Sequence, residues 1–389
     1  MRRLTLIALV SAVVALLALT PRLGAQLAIS ANDAKLKLVN GVQTVVANPP
    51  ADTVTIFDLS GAAPRVVGEV AAPTSVIGPP ESAAIAPDGS IALVTASTKI
   101  DPADPTKTVP DNRVTVIDLQ ASPVKVLATL QAGNGASGVS INPAGTLALV
   151  ANRFDGTVSV FTIAGKTVTP AGRVDLGPPE SVPAHVAISP DGTKAYVTRN
   201  GDSLISILTI AGTRVENTKR DIASGLKPYG IEIAPAGDVA LVANIGAGAT
   251  GGADTVSVID LTGDPPRAID QVTVGPTPEG IAISPDGQFV ALTVMNGTNM
   301  PPASPLFRDF GRLRVYRLRA KALTPVTEAR IGHWCQGTTW SGDSKTLLVQ
   351  CMVEQELRVF SFDGATLVPR ASIPMRGGPA GIRTAPVKK

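Results

Sequence analysis

Short stretches of alternating apolar and polar residues, separated by tight turn signals, make up most of this chain. Segment 184–212 shows the pattern most clearly. Three alternating runs, at 186–189, 194–198 and 204–210, are separated by Pro-Asp-Gly at 190–192 and Asn-Gly-Asp at 200–202. An alternation of period two between turns of this composition predicts an antiparallel meander of three strands.

The same unit recurs along the chain. Turns of the Pro-Asp-Gly or Pro-Ala-Gly type start at Pro87, Pro143, Pro190, Pro235 and Pro285, with a degenerate copy at 342–344. The third strand occurs seven times, as TVTIFDL from Thr53, RVTVIDL from Arg113, TVSVFTI from Thr157, LISILTI from Leu204, TVSVIDL from Thr255, RLRVYRL from Arg312 and ELRVFSF from Glu356. A repeat of this length is typical of propellers and solenoids.

The first copy of the unit is incomplete, and this distinguishes the two architectures. Segments 35–47 and 53–59 supply its second and third strands without a first strand, whereas GIRTAP at 381–386 matches the first strand GIAISP at 280–285. A ring whose first blade is closed by the C-terminal strand explains both observations, whereas a linear solenoid would need capping repeats. We therefore predict an all-β fold, a seven-bladed β-propeller with four antiparallel strands per blade over residues 31–386.

Residues 1–25 follow a different pattern. Arg2 and Arg3 precede an apolar run at 4–19, and Gly24 and Ala25 end the segment. This layout predicts a signal peptide cleaved after Ala25, which leaves 26–389 as a single propeller domain in the periplasm or secreted from a bacterium. An uncleaved anchor is the alternative, but the run is short for a membrane span, so we expect no stable membrane anchor.

Composition and charge agree with a turn-rich β protein. The chain has 37 Gly, 33 Pro and only 3% aromatic residues. Loss of the three leader arginines would reduce its 34 basic residues to 31, which equals the 31 acidic residues. We therefore expect no nucleic-acid partner.

Several strand ends resemble the YVTN-repeat β-propellers of secreted bacterial type. They are Val45-Val46-Ala47-Asn48, Leu149-Val150-Ala151-Asn152, Ala195-Tyr196-Val197-Thr198-Arg199-Asn200 and Leu241-Val242-Ala243-Asn244. In the third of these, Arg199 is interpreted as an insertion before the asparagine, and the asparagines are expected to cap turns. The wider group that these repeats resemble includes lactonase-type propellers and the large subunit of amine dehydrogenases.

One face of the ring is expected to carry function. Strand alternation places the tight turns on the lower face, and the blade crossovers and long loops at 99–112, 245–254 and 296–311 on the upper face, where binding usually resides. Each crossover delivers one side chain to the channel mouth, and His185 stands where most copies have glycine. The predicted ligand-binding set is Glu81, Ser137, His185, Arg199, Tyr229, Lys227, Glu279, His333, Trp334 and Gln336.

These residues favour a propeller that binds a polar ligand or a protein partner on the upper face; the simpler alternative is that the polar groups only hold water. The resemblance implies a lactone hydrolase as an alternative function. Glu81, His185, Glu279 and Arg383 are then the candidate catalytic residues. A third possibility is an electron-transfer subunit like that of amine dehydrogenases, which would need a cofactor-bearing partner.

The loop tip Phe307-Arg308-Asp309-Phe310 either contacts a partner or folds back over its own blade.

The two cysteines are expected to form a disulfide. Folding the hairpin at Gly342 and Asp343 places Cys335 opposite Cys351 on neighbouring strands, within the distance that a disulfide needs. Two histidines and no Cys-x-x-Cys-His motif argue against c-type haem and zinc. No cofactor is predicted, and Ca²⁺ or Mg²⁺ held by Glu81, Glu279 and loop aspartates is the open alternative.

Overall fold

The computed structural model describes residues 26–61, 63–247 and 252–387. The predicted signal peptide and its cleavage site lie outside these ranges. Within them, no helix has the length and apolar character needed to cross a membrane.

Seven four-stranded antiparallel sheets form a closed ring of blades, as predicted. The strands, from inner to outer, are Gly378–Thr384, Leu27–Asp33, Thr53–Asp58 and Arg65–Ala71 in blade 1; Ala83–Ile85, Ile91–Thr95, Arg113–Asp118 and Lys125–Gln131 in blade 2; Ala136–Ile141, Leu147–Asn152, Thr157–Ala164 and Thr167–Asp175 in blade 3; Pro183–Ile188, Lys194–Arg199, Leu204–Ala211 and Arg214–Ala223 in blade 4; Pro228–Ile233, Val239–Asn244, Asp254–Asp260 and Arg267–Gly275 in blade 5; Pro278–Ile283, Phe289–Val294, Gly311–Arg319 and Ala322–Ile331 in blade 6; and Cys335–Trp340, Thr346–Cys351 and Glu356–Phe362 in blade 7, where Leu367–Pro369 and Ile373–Pro374 share the outer position.

Two hairpins and one short helix supplement the blades. The hairpins are Leu36–Val39 with Val42–Val45 and Thr98–Ile100 with Thr108–Pro110, and a 3₁₀ helix covers Pro179–Ser181. The long loops predicted in blades 2 and 6 are present, although the blade 5 loop lies partly outside the described residues.

The ring is closed by the two ends of the described chain. Gly378–Thr384 pairs with Leu27–Asp33, with Ala28 opposite Thr384 and Asp33 opposite Gly378. Leu27–Asp33 also pairs with Thr53–Asp58 and is therefore the second strand of blade 1. The prediction that 35–47 forms this strand was wrong, because that segment forms a separate hairpin.

The core lies between neighbouring blades. Every residue of Leu147–Asn152 is buried, whereas Lys125–Gln131 alternates between exposed and half-buried residues. Leu149 packs with Val186 and Val197 of the next blade, and burial of one such side chain contributes about 2 kcal/mol. Apolar contacts between neighbouring blades thus form the core, and buried polar side chains lie along the central channel.

The tight turns have the chemistry expected from the sequence. Gly192 adopts a φ of +71°, which favours glycine, and its N–H donates to the Ser189 carbonyl at 2.8 Å. Asp191 Oδ1 accepts the Thr193 N–H at 3.0 Å. Local hydrogen bonds therefore fix the turn without help from a ligand.

A recurrent asparagine joins the second strand to the third. The Asn152 amide donates to the hydroxyls of Thr157 and Ser159 at 2.8 and 3.0 Å. Asn32 and Asn244 make equivalent bonds in blades 1 and 5. The asparagines thus have a structural role, and Asn32 fills it in blade 1, where Asn48 was expected.

Arg199 stands at the same register position in blade 4. It lies opposite Leu204 as Asn152 lies opposite Thr157, so it replaces the asparagine and is not an insertion before it. Its guanidinium bonds Ser206 Oγ at 3.2 Å and Asp221 Oδ2 at 2.9 Å, and it also pairs with Asp202. These bonds hold Arg199 within its own blade.

Candidate functional site

The central channel has a chamber of about 300 Å³ at its upper end. Tyr229, Glu279, Gln336 and Trp334, four of the predicted mouth residues, line it. The other lining residues are Leu38, Gly41, Gln43, Val76, Ile77, Gly78, Met295 and Asn299. Polar groups from three blades therefore converge beneath a largely apolar cover.

The hairpin Leu36–Val45 covers this chamber. Leu36, Leu38 and Val45 pack in one apolar cluster with Val76, Met295, Trp334, Met352 and Ala380. At the hairpin tip, Gly41 lies directly against the Met300–Pro301 backbone of the blade 6 loop, with no space for a side chain. The channel mouth predicted from the sequence is thus covered by this hairpin.

A buried lysine fixes the base of the hairpin. Lys35 Nζ lies 3.0 Å from Asp33 Oδ2 and 2.9 Å from Asp52 Oδ2, and it donates to the Thr74 carbonyl at 2.5 Å. Burial raises the pKa of Asp33 although Lys35 opposes the shift. Two carboxylates around one cation anchor the cap to blade 1.

Glu279 and Gln336 form the polar floor of the upper chamber. Gln336 Nε2 donates to Glu279 Oε2 at 2.7 Å, while buried Gln336 Oε1 has no partner among the described residues. Burial raises the pKa of Glu279 to about 8, although Gln336 and Arg153 lower it. At neutral pH this carboxyl therefore keeps its proton and can donate it in a hydrogen bond.

Arg153 adds a positive charge beside the chamber. Its Cζ lies 5.6 Å from the Tyr229 ring centroid, and its Nε and Nη1 are buried without a partner in the described part of the chain. Burial raises the pKa of Tyr229, so its phenol stays protonated. Sequence analysis missed Arg153 because it follows a strand end in blade 3 and has no counterpart in the other repeats.

Glu81 and His185 lie deeper in the channel. Glu81 is 3% exposed, and its Oε2 lacks a partner within the described ranges. Burial raises its pKa to about 8, with Arg383 opposing and Glu232 reinforcing the shift. A Cβ on Gly230 would lie 2.7 Å from Glu81 Oε1, so Glu81 reaches across the channel from blade 2 to blade 5.

His185 is a neutral imidazole with a defined tautomer. It is fully buried, and burial together with nearby Arg383 holds its pKa well below the usual range. Nδ1 accepts the Ile231 N–H at 3.2 Å, so the ring proton is on Nε2. Nε2 has no partner among the described residues and is available as a donor.

Arg383 does not join the upper group. It pairs with Glu232, and because these residues belong to blades 1 and 5, the ion pair crosses the channel. Both line a separate lower chamber of about 410 Å³. The pair therefore divides the channel into an upper and a lower part.

The remaining predicted residues are dispersed. Ser137 is buried near Gly78 with an unpartnered Oγ, whereas Lys227 is exposed on the upper rim. His333 lies outside the chamber, with Nδ1 2.7 Å from Glu354 and Nε2 3.3 Å from Asp309. Its ring stacks on Phe307 at 6.3 Å, so the blade 6 loop tip folds back onto the ring of blades.

The disulfide prediction is confirmed. Cys335 and Cys351 are bonded, with Cα atoms 4.0 Å apart. They and Glu354 are the one group of potential metal ligands among the described residues that lies close enough together, and bonded cysteines are not thiolate ligands. Glu81 and Glu279 are not brought together with a third ligand, so the described residues do not assemble the carboxylate cage considered for Ca²⁺ or Mg²⁺.

Comparisons with known proteins support the fold. Similar solved structures include the periplasmic gluconolactonase of Pseudomonas aeruginosa (16% identity, 92% of this chain and 99% of that chain, TM-score 0.67). A candidate 6-phosphogluconolactonase of Bacteroides fragilis NCTC 9343 (16%, 93% and 98%, 0.69) and hydrazine synthase of Kuenenia stuttgartiensis (19%, 80% and 90%, 0.60) are also similar.

No family model and no curated protein matches the chain. The likeness to solved structures therefore establishes a propeller with lactonase-like structural neighbours, while the YVTN assignment stays a prediction. Because the similar structures include proteins named for different reactions, function has to be argued from the site.

Proposed function

We propose that this propeller binds a small polar molecule bearing a carboxylate or lactone carbonyl in the upper chamber. One observation carries the proposal: Nε and Nη1 of Arg153 are buried and have no hydrogen-bond partner among the described residues. Unpaired buried donors of a charged group are costly, and an anionic or strongly polarised oxygen would satisfy them.

The protonation states favour such a ligand. Below pH 8, Glu279 is protonated, so no ionised carboxylate from that residue neutralises Arg153. The Tyr229 phenol and protonated Glu279 are further donors, and Gln336 Oε1 is an acceptor for a ligand hydroxyl. A volume of about 300 Å³ suits a molecule of hydroxy-acid size.

Calorimetric titration of the chain from Gln26 onward with gluconate, at pH 6.5, tests the proposal. Arg153→Ala should weaken binding by about tenfold or more through loss of a charge-assisted bond. Arg214→Ala is the matched control, because Arg214 is exposed and pairs only with Glu216 among the described residues. Equal gluconate affinity in wild type and Arg153→Ala would contradict the proposal, as would no binding by wild type.

Lactone hydrolysis is the second candidate function. The pKa of Glu279, raised to about 8, favours it, because a carboxyl with this pKa can accept a proton and return it near neutral pH. Ionised Glu279 takes a proton from water, the water oxygen bonds to the carbonyl carbon, and Arg153 stabilises the resulting oxyanion. The ring C–O bond then breaks and the ring oxygen receives the proton from Glu279, which yields a hydroxy acid. Because Glu279 acts as a base, the rate should rise as pH increases through about 8.

Acid release from glucono-1,5-lactone, measured above the spontaneous rate, tests this second function. Glu279→Gln should lower turnover by about 100-fold or more, as expected for loss of a general base, while Glu216→Gln should not change it. Gluconate binding without turnover supports the binding function alone. Turnover that persists in Glu279→Gln would exclude the mechanism.

The predicted location in the periplasm or outside the cell remains part of the proposal. A buried Cys335–Cys351 disulfide supports it, because such bonds persist mainly in oxidising compartments. Fractionation of cells that express the full chain, with N-terminal sequencing of the product, tests both the location and cleavage after Ala25.

A further inference from the structure

The lower end of the channel holds a second chamber, of about 410 Å³, on the face with the tight turns. The last residue of the inner strand in six blades forms an apolar collar around it: Ile85, Ile141, Ile188, Ile233, Ile283 and Trp340. Four of the isoleucines are only half-buried. The collar therefore presents apolar surface that a small molecule could cover.

The Arg383–Glu232 ion pair forms the inner wall of this chamber. The two side chains are 24% and 17% exposed. Within the described ranges, the guanidinium and the carboxylate bond no other side chain. The pair therefore offers further N–H donors and a carboxylate oxygen side by side to whatever enters.

The charges of this wall are balanced. Arg383 and Glu232 neutralise each other, and the neighbouring His185 is neutral. A ligand with a net charge would add an unpaired charge to a half-buried site, which is unfavourable. A head group with one positive and one negative end can instead bond both partners while the local charge stays at zero.

We propose that the lower chamber binds an apolar molecule with a zwitterionic head group, of which an apolar α-amino acid is the simplest example. The carboxylate would lie on Arg383, the ammonium on Glu232, and the apolar side chain against the collar. This site is independent of the upper chamber, because the ion pair separates the two.

The two tryptophans of the chain make a direct test possible, since Trp334 lines the upper chamber and Trp340 the lower one. In Trp334→Phe, Trp340 is the sole tryptophan. Titration with L-leucine should give a saturable change in its fluorescence. 4-Methylpentanoate and 3-methylbutylamine, which each lack one charge of leucine, should bind about tenfold more weakly or worse.

Two variants in the Trp334→Phe background locate the site. Glu232→Gln should weaken leucine binding by about tenfold and strengthen that of 4-methylpentanoate, whose carboxylate would neutralise the remaining charge of Arg383. Binding of 4-methylpentanoate by this variant shows that it is folded. Ser140→Leu fills the chamber from the wall without changing the ion pair and should abolish leucine binding. Glu216→Gln, at an exposed ion pair with Arg214, should leave leucine binding unchanged.

Three outcomes would overturn the proposal: no saturable signal with leucine, equal affinity for leucine and both analogues, or unchanged leucine binding in Ser140→Leu. None of these depends on gluconate binding, so the upper-chamber proposal can fail or succeed separately.

Discussion

Replacement of Glu81 by glutamine should make the free energy of unfolding depend less on pH. Glu81 is 3% exposed and its pKa is raised from 4.5 to about 8 in the folded protein. Between these values the folded protein holds a proton that the unfolded chain releases. The contribution of Glu81 protonation to the free energy of unfolding is therefore complete below about pH 4.5. It is lost as the pH rises towards 8.

The magnitude follows from this difference in proton binding. One proton gives a slope of about 1.4 kcal/mol per pH unit. Between pH 5.5 and 7.5, wild type should lose up to about 3 kcal/mol of unfolding free energy through Glu81 alone. Glutamine has the same shape and does not titrate, so the variant should lack this loss.

Urea unfolding at pH 5.5, 6.5 and 7.5 measures the effect. His185 acts in the opposite direction, because its lowered pKa makes the folded protein gain stability as pH rises through 6.5. The difference between wild type and variant removes this common contribution. Glu216→Gln, at an exposed ion pair with Arg214, is the matched control.

The stability difference, Glu81→Gln minus wild type, should thus increase by about 2 to 3 kcal/mol from pH 5.5 to 7.5. If the free energy of unfolding depended on pH in the same way in both proteins, Glu81 would be ionised in the folded state. That result would refute the raised pKa of this buried carboxyl.

Three further changes test the packing. Gly230→Ala should lower the unfolding free energy by about 1 to 3 kcal/mol in urea titrations, because its methyl group would lie 2.7 Å from Glu81 Oε1; normal stability would contradict the close approach. Joint replacement of Cys335 and Cys351 by serine should cost about 3 kcal/mol, given a sequence separation of 16 residues, and reductant should have no further effect on this variant. Arg199→Ala should reduce the melting temperature and leave gluconate affinity unchanged; a change in affinity would return Arg199 to the binding set.

The fold could be predicted because its signals are local and repeated. The turn at 190–192 and the strand that follows recur along the chain, and the match between 280–285 and 381–386 reveals ring closure. The error at 35–47 has a physical reason: alternation shows that a segment is extended but not which strand it pairs with. The true second strand, Leu27–Asp33, begins two residues after the predicted cleavage site and was therefore overlooked.

The site was only partly predictable for a related reason. Glu279, Gln336 and Tyr229 were found because the repeat brings equivalent positions to one end of the channel. Arg153 belongs to a loop of blade 3, and its contact with Tyr229 of blade 5 depends on the diameter of the closed ring. Arg383 was placed at the wrong end because its partner, Glu232, was not recognised.

Ring closure also bears on how the protein is made. Asp33 and Gly378 pair across 344 intervening positions, so blade 1 cannot be completed until Gly378 has been synthesised. At translation rates of about 5 to 20 residues per second, Leu27–Asp33 is synthesised roughly 20 to 70 seconds before Gly378–Thr384, the inner strand with which it pairs. A nascent chain stalled before Gly378 would leave one edge of Leu27–Asp33 unpaired, and exposed strand edges are sites of aggregation.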